Sequence, residues 1–315
     1  MSIKINGKYL SQILFSRRKT SPREIGYNKF HNSKMIGIRN ICFDKTLPSY
    51  NTLDIYMSKD NGQKSTLVFI NIDETSNSKN KRRGLARYIA SLQYNVISIT
   101  CGQVFPENVT SCISALQWAY KHKERYSFNL DKIVIAGDSI GAFAAFCVAT
   151  AITDSSYALK LNVKIPDVKV IAEAYFCGLY DIPTLMSTNN SKSDANTIVK
   201  KLLGKKIKHI SDFQKSNHLD TLSPIKFFAE SRGPIFVTHT DFDNLFSQHG
   251  TKLIHMLVKL GSPYLEIRAI KAKLNHNWQL DINNKFGMLV IDIFSEFLIS
   301  MHNNRDSFVS RYIDI

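Results

Sequence analysis

The chain has 315 residues, and its 41 Lys and Arg against 26 Asp and Glu give a formal net charge of +15. Its 44% hydrophobic and 11% aromatic residues are typical of a globular protein with a substantial core, and they exclude a disordered, collagenous or disulfide-stapled chain. No apolar run approaches the ~20 residues of a membrane-spanning helix. The length fits one large α/β domain or two small ones.

From about residue 50, short β-branched runs alternate with helical patterns, which predicts an α/β fold with a mostly parallel central sheet and helices on both faces. The predicted strands are residues 52–57, 66–72, 95–100, 132–136, 168–175, 234–239 and 264–270. The predicted helices are residues 82–92, 108–123, 142–151, 248–260 and 285–302. Residues 1–40 and about 182–225 do not fit this alternation.

The cysteines and the start of the chain bear on the cellular compartment. The five cysteines are Cys42, Cys101, Cys112, Cys147 and Cys177, and none forms a CxxC pair. Their odd number and scattered positions argue against disulfides and against a zinc site. Near the start, the basic cluster follows a short apolar stretch, the reverse of a secretory signal, so we expect a cytoplasmic protein.

The strongest local motif is Gly137-Asp138-Ser139-Ile140-Gly141. A GxSxG pattern alone is a weak signal, but here a buried apolar strand runs directly into it and an apolar helix follows. Such a strand–turn–helix unit projects the serine hydroxyl from the carboxyl edge of the sheet, at the N-terminus of a helix. The motif therefore predicts Ser139 as a nucleophile.

A nucleophilic serine needs a general base, and the base needs an orienting acid. His276 lies in the loop between the last predicted strand and the last helix, which opens on the same edge of the sheet as Ser139. For the acid, Asp243 follows the strand at residues 234–239 and is our choice. Asp241 is the near alternative, and Asp181, after the preceding strand, is a weaker third candidate.

Several stretches of the sequence resemble a known family. They are Leu-Asp-Ile-Tyr at 53–56, Ser-Ala-Leu-Gln-Trp at 114–118, the run from Asn129 to Ser139, and Leu-Ser-Pro-Ile at 222–225. From residue 53 onward, about four-fifths of the chain, the sequence resembles the esterase/lipase branch of the α/β-hydrolase superfamily, close to hormone-sensitive-lipase-like and acetyl-esterase enzymes. The resemblance implies an α/β-hydrolase fold with Ser139, Asp243 and His276 as nucleophile, acid and base.

The chain departs from this family at the turn that helps bind the oxyanion. The resembled enzymes carry an HGGG-type turn there, whereas this chain reads Asn71-Ile72-Asp73-Glu74 without a glycine. The backbone amide of Ile140 remains as one donor, and the second would come from the backbone near Ile72 and Asp73 or from the Asn71 side chain. Loss of one oxyanion donor typically lowers the rate ~10²–10³-fold.

The positive charge is concentrated in two segments. Residues 1–40 contain nine basic residues and one acid, and residues 190–215 contain seven and two, which leaves a net +2 for the rest of the chain. In the resembled esterases an N-terminal segment and an insertion form a cap over the active site. We therefore predict a basic N-terminal cap segment at 1–40 and a catalytic domain at 41–315 with a small cap insertion at about 182–225.

These charges suggest a hypothesis about partners. The basic cap would face an anionic membrane surface or steer an acidic substrate, and the apolar run at residues 9–15 could lie in a membrane interface. The alternative is that these lysines only keep the protein soluble. Neither segment resembles a nucleic-acid-binding motif, so no nucleic-acid partner is expected.

The sequence therefore predicts a serine hydrolase that cleaves small-molecule or lipid carboxylic esters through an acyl-enzyme on Ser139. No metal or organic cofactor is expected, and the sequence does not indicate an oligomeric state. An amidase or peptidase with the same three residues remains an alternative. A catalytically weak binding protein on the same fold is a further alternative, suggested by the turn at residues 71–74.

Overall fold

The computed structural model of the chain describes residues 35–59, 64–72, 78–187, 192–204, 219–243, 246–270, 272, 274, 276, 278–280, 284–303 and 308–315. Within these ranges the molecule is built on one sheet of nine strands. Its strands are β1 (Met35–Cys42), β2 (Thr52–Ser58), β3 (Ser65–Asn71), β4 (Tyr94–Thr100), β5 (Ile133–Asp138), β6 (Val170–Phe176), β7 (Ile235–Thr240), β8 (Tyr264–Ala269) and β9 (Arg311–Asp314).

The order of strands across the sheet is β1-β2-β4-β3-β5-β6-β7-β8-β9. Strand β2 pairs in antiparallel fashion with both of its neighbours, β1 and β4. All the other neighbouring strands pair in parallel. Because parallel strands share one carboxyl edge, the loops that follow β5, β6, β7 and β8 open on the same side of the sheet. The predicted mostly parallel sheet is confirmed.

Helices cover both faces of the sheet. They are α1 (Arg83–Ser91), α2 (Glu107–Lys121), α3 (Lys123–Tyr126), α4 (Ile140–Thr153), α5 (Ser155–Lys160), α6 (Ile182–Ser187), α7 (Lys192–Leu203), α8 (Ser247–Lys259) and α9 (Lys285–His302). Short 3₁₀ turns lie at Ser78–Arg82, Pro224–Phe227 and Trp278–Leu280.

The central strands are buried on both faces, which explains their continuous apolar runs. Alternate residues of β3 point to opposite faces. Val68 and Ile70 join one core with α2, α4 and α8, whereas Leu67 and Phe69 join a second core with α1 and α9. Helix α4 is buried almost all around, so the turn that enters it from β5 is held between rigid elements.

Two edge strands were absent from the sequence prediction. Strand β1 pairs with β2, so the boundary predicted at residue 40 cuts through a strand of the sheet, and residues 35–40 are not part of a separate cap. Strand β9 pairs with β8 at the other edge. Residues 1–34, which carry most of the predicted basic N-terminal segment, lie outside the described residues.

The segment predicted as a cap insertion contains α6 and α7. Helix α7 contacts the body near its end, where the Leu202 carbonyl accepts a hydrogen bond from the Phe105 amide at 2.6 Å. Residues 205–218 lie outside the part of the chain that the structure describes.

No helix in the described ranges combines the length and the apolar character needed to cross a bilayer.

Candidate active site

Ser139 lies at a sharp turn between β5 and α4. Its backbone angles are φ 56° and ψ −120°, a conformation that costs energy for a residue with a side chain and that is found at functional turns. The flanking glycines are required by close contacts of the backbone. A Cβ on Gly137 would lie 2.4 Å from the Gly141 carbonyl oxygen, and a Cβ on Gly141 would lie 2.4 Å from the Ile70 carbonyl oxygen.

His276 joins Ser139 to Asp243 through its two ring nitrogens. Nε2 lies 2.9 Å from the Ser139 Oγ, and Nδ1 lies 2.5 Å from the Asp243 Oδ2. An ionised carboxylate can only accept hydrogen bonds, so Nδ1 carries the proton and Nε2 is left to accept from the serine hydroxyl. The structure thus brings together, within hydrogen-bonding distance, the three residues that the sequence predicted.

Asp243 is held in place from the loop after β7. It is 7% exposed, and its Oδ1 accepts a hydrogen bond from the Phe246 backbone amide at 3.0 Å. The Phe246 ring lies against the imidazole of His276, with 4.3 Å between ring centroids. The carboxylate is therefore both buried and held in position against the imidazole.

The two alternative acids are engaged elsewhere. Asp241 forms a bidentate ion pair with Arg268, at 2.8 and 2.9 Å. Asp181 forms an ion pair with Lys252 and accepts hydrogen bonds from Ser223 and Thr184, each at 2.6 Å. Although burial raises the pKa of Asp181, these partners outweigh it and lower that pKa below its usual value.

The candidate oxyanion donors are placed unequally. Ile140 begins α4 next to Ser139, and Ile72 and Asn71 line the same cavity as Ser139. The Asn71 side-chain amide donates to the Phe69 and Ile99 carbonyls and to the Ser98 hydroxyl, at 3.0 to 3.1 Å. These contacts turn the amide into the protein, so the Asn71 side chain is not available as a donor, contrary to one of the expected alternatives.

A cavity of about 260 Å³ opens beside Ser139. Its apolar lining comes from Ile72, Ile140 and Ile198, and its polar lining includes Arg82 and Lys201. Ile198 and Lys201 belong to α7, one turn apart on the same face of the helix. The segment predicted as an insertion therefore borders the space next to the serine.

Arg82 is a site residue that the sequence analysis missed. Its guanidinium pairs with the carboxylate of Asp138 at 2.6 Å, and both side chains are at least 85% buried. Asp138 directly precedes Ser139, so this pair ties the start of α1 to the turn that carries the serine. Nothing in the local sequence around Arg82 signals this pairing, because the two residues lie 56 positions apart.

Cys177 lies beside the same group of residues. It follows β6 in a left-handed backbone conformation, φ 46°, and its thiol lies 3.3 Å from the Gln279 Oε1. Cys177, Asp243 and His276 each offer one atom that could bind a metal ion, and among the described residues these three atoms lie within 4.8 Å of one another. Two of these residues, His276 through its Nδ1 and Asp243 through its Oδ2, are hydrogen-bonded to each other.

The parallel sheet with helices on both faces and a serine at a strand–turn–helix unit define an α/β-hydrolase fold. The BD-FAE family model matches residues 53–257, more than half of the chain. The chain belongs to the BD-FAE family. No curated protein matches the sequence significantly.

Many solved structures share the fold. Esterase B from Lactobacillus rhamnosis, inhibited by a tributyrin phosphonate, has a TM-score of 0.65 at 17% identity, over 93% of this chain and 97% of that chain. A hyperthermophilic esterase from the archaeon Pyrobaculum calidifontis has a TM-score of 0.65 at 15% identity, over 94% and 92%. A bacterial heroin esterase has a TM-score of 0.63 at 14% identity, over 94% and 96%. The predicted resemblance to the esterase/lipase branch is thus confirmed for the fold.

Proposed function

We propose that the protein is a serine hydrolase that cleaves carboxylic esters through an acyl-enzyme on Ser139. The observation that carries this proposal is the hydrogen-bonded chain from Ser139 through His276 to Asp243, at 2.9 and 2.5 Å. A strained serine at the end of a central strand, an imidazole within hydrogen-bonding distance and a buried carboxylate are the parts that nucleophilic catalysis on an acyl group needs.

The proposed reaction has two halves. Ser139 Oγ attacks the ester carbonyl while His276 Nε2 accepts its proton, and the resulting imidazolium is stabilised by the Asp243 carboxylate. The tetrahedral intermediate then collapses, and His276 returns the proton to the leaving alcohol. Water next attacks the acyl-enzyme with His276 again as the base, which releases the carboxylic acid and restores the serine.

The developing oxyanion requires at least one donor close to Ser139. We propose the backbone amide of Ile140, because it stands at the N-terminus of α4, where amides point outward and the helix dipole favours negative charge. The backbone amide of Ile72 is the proposed second donor. It is supported by the position of Ile72 in the lining of the cavity beside Ser139.

The proposed substrates are small-molecule or lipid esters. Esterase names among the structural neighbours support ester cleavage, and the volume of about 260 Å³ beside Ser139 suits a small acyl or alcohol group. We further propose that the insertion at 182–225 acts as a cap. Ile198 and Lys201 of α7, which border the cavity, support this role.

Labelling with a fluorophosphonate probe tests the proposal. The wild-type protein should be labelled covalently and should hydrolyse short p-nitrophenyl esters, and both properties should disappear in Ser139→Ala. Ser231→Ala, a change of the same kind at an exposed loop position, is the matched control and should behave like the wild type.

The outcomes separate the alternatives. Labelling that persists in Ser139→Ala would refute Ser139 as the nucleophile. Labelling without ester turnover, combined with hydrolysis of p-nitroanilides, would point to an amidase or peptidase. Absence of both labelling and turnover would identify a binding protein on a hydrolase fold.

A further inference from the structure

A second cavity, of about 200 Å³, lies between the edge strand β1 and helix α1. Ser139 does not line it. Its lining consists of three arginines together with apolar and aromatic residues: Arg39, Arg83, Arg87, Met35, Ile36, Gly37 and Tyr56. No acidic side chain is among these lining residues, so the cavity concentrates positive charge.

Arg83 and Arg87 are placed unfavourably as neighbouring cations on one helix. Arg83 and Arg87 lie four residues apart on α1, and like charges at this spacing destabilise a helix. Arg83 is also the first residue of α1, where the helix dipole favours negative charge. Yet the first turn of α1 contains no acidic residue, and its N-cap position is another arginine without a side-chain capping bond.

The buried carboxylate of Asp54, on the neighbouring strand β2, is already engaged. It accepts hydrogen bonds from the Asn40 amide at 2.8 Å and from the Tyr56 hydroxyl at 2.9 Å. The Lys79 ammonium lies 3.8 Å from the same carboxylate. Burial and the charge of Asp54 raise the pKa of Tyr56, so the phenol stays neutral and does not offset the guanidinium charges either.

The arginines retain donors for a ligand. Arg83 donates to the Asn80 side chain at 2.5 Å and also interacts with the Tyr56 hydroxyl, but its Nε is buried without a hydrogen-bond partner. Neither Arg39 nor Arg87 forms an ion pair with any of the residues that the structure describes. A guanidinium has five N–H donors in a planar fork that matches the oxygens of carboxylates and phosphates.

We propose that this cavity binds a phosphate-type anion, clamped between Arg39 on one side and Arg83 and Arg87 on the other. Paired guanidinium groups bind phosphate by charge-assisted, bidentate hydrogen bonds. The volume of about 200 Å³ admits a phosphate group. The anion comes either from a soluble phosphate compound or from the headgroup of a membrane lipid.

Calorimetric titration with inorganic phosphate tests the site, with ionic strength held constant by chloride. We expect saturable binding to the full-length protein. Loss of charged hydrogen bonds should weaken it about tenfold or more in Arg87→Gln, and likewise in Arg39→Gln, which changes a different element. Arg311→Gln, the same change at an exposed position on β9, should leave the affinity unchanged.

Vesicle co-sedimentation distinguishes the two sources of the anion. Binding to phosphatidylglycerol but not phosphatidylcholine vesicles, lost in Arg87→Gln, would identify a lipid headgroup. Phosphate binding without any Arg87-dependent vesicle binding would identify a soluble ligand. No saturable binding of phosphate or vesicles, or binding that all three variants retain equally, would overturn the proposal. Ester turnover is not used as the readout, so the result is independent of the function proposed for Ser139.

Discussion

Asp241 and Asp243 stand two positions apart after β7, but they have different partners. Asp243 lies 2.5 Å from the Nδ1 of His276, whereas Asp241 forms a bidentate ion pair with Arg268 on the neighbouring strand. The difference arises because the Asp241 amide still bonds to the Ala269 carbonyl, in continuation of the sheet, while the chain turns away before Asp243. Substitution of Asp243 and substitution of Asp241 should therefore affect ester turnover differently.

We predict that Asp243→Asn lowers kcat by about 10³–10⁴-fold, because an amide holds the imidazole in the wrong tautomer. Asp241→Asn is the matched control. It removes one exposed ion pair, of the kind that contributes about 0–1 kcal/mol to stability, and should leave kcat within a few-fold of the wild type. Steady-state kinetics on one p-nitrophenyl ester checks both variants, and an equal loss in the two would refute the assignment of the acid.

The sequence could predict Ser139 and His276 because each follows a recognisable strand, and parallel strands bring their carboxyl ends together. It could not separate Asp243 from Asp241, since that difference depends on where a loop leaves the sheet. Arg82 and Cys177 could not be found at all. Arg82 reaches Asp138 from a distant part of the chain, and the placement of Cys177 depends on a left-handed backbone conformation that its residue type does not signal.

Among the contacts between elements, the approach of β3 to the start of α4 is one of the tightest at the site. Gly141 lies so close to β3 that a Cβ would meet the Ile70 carbonyl oxygen at 2.4 Å. That neighbour is backbone in the middle of a parallel sheet, flanked by β4 and β5. It cannot move aside as a flexible side chain could.

We predict that Gly141→Ala lowers the free energy of unfolding by about 1–3 kcal/mol through overpacking, and that it also reduces ester turnover because Ser139 shifts. Gly102→Ala is the control, since a Cβ there would meet no atom within 4 Å. Chemical denaturation gives the stability of each variant. Equal stability of Gly141→Ala and Gly102→Ala would contradict the packing argument.

The elements that the sequence analysis found and missed differ in burial. The central strands β3, β4 and β5 are buried at every position, so their apolar runs stand out in the sequence. The edge strands are different: β1 has no fully buried residue, and β9 is four residues long and largely exposed. Hydrophobic pattern therefore gives little signal for them, and their pairing depends on the neighbouring strand already being in place.

At the scale of the whole molecule, the stability of the fold should depend on pH through buried groups. His249 on α8 is fully buried, and burial lowers its pKa to about 4, despite the opposing charges of Asp181 and Asp243. In the unfolded chain a histidine titrates near pH 6.5. Between these two values the unfolded chain binds a proton that the folded chain does not.

The free energy of unfolding should therefore fall as the pH falls from about 6.5 to 4, by up to about 3 kcal/mol from His249 alone. His249→Asn, which keeps an acceptor for the Tyr180 amide, should lower stability near neutral pH but flatten this slope. His255→Asn, on the exposed side of the same helix, should keep the wild-type slope. Denaturation curves at half-unit steps of pH measure all three proteins, and parallel slopes for the wild type and His249→Asn would show that the buried imidazole does not control acid stability.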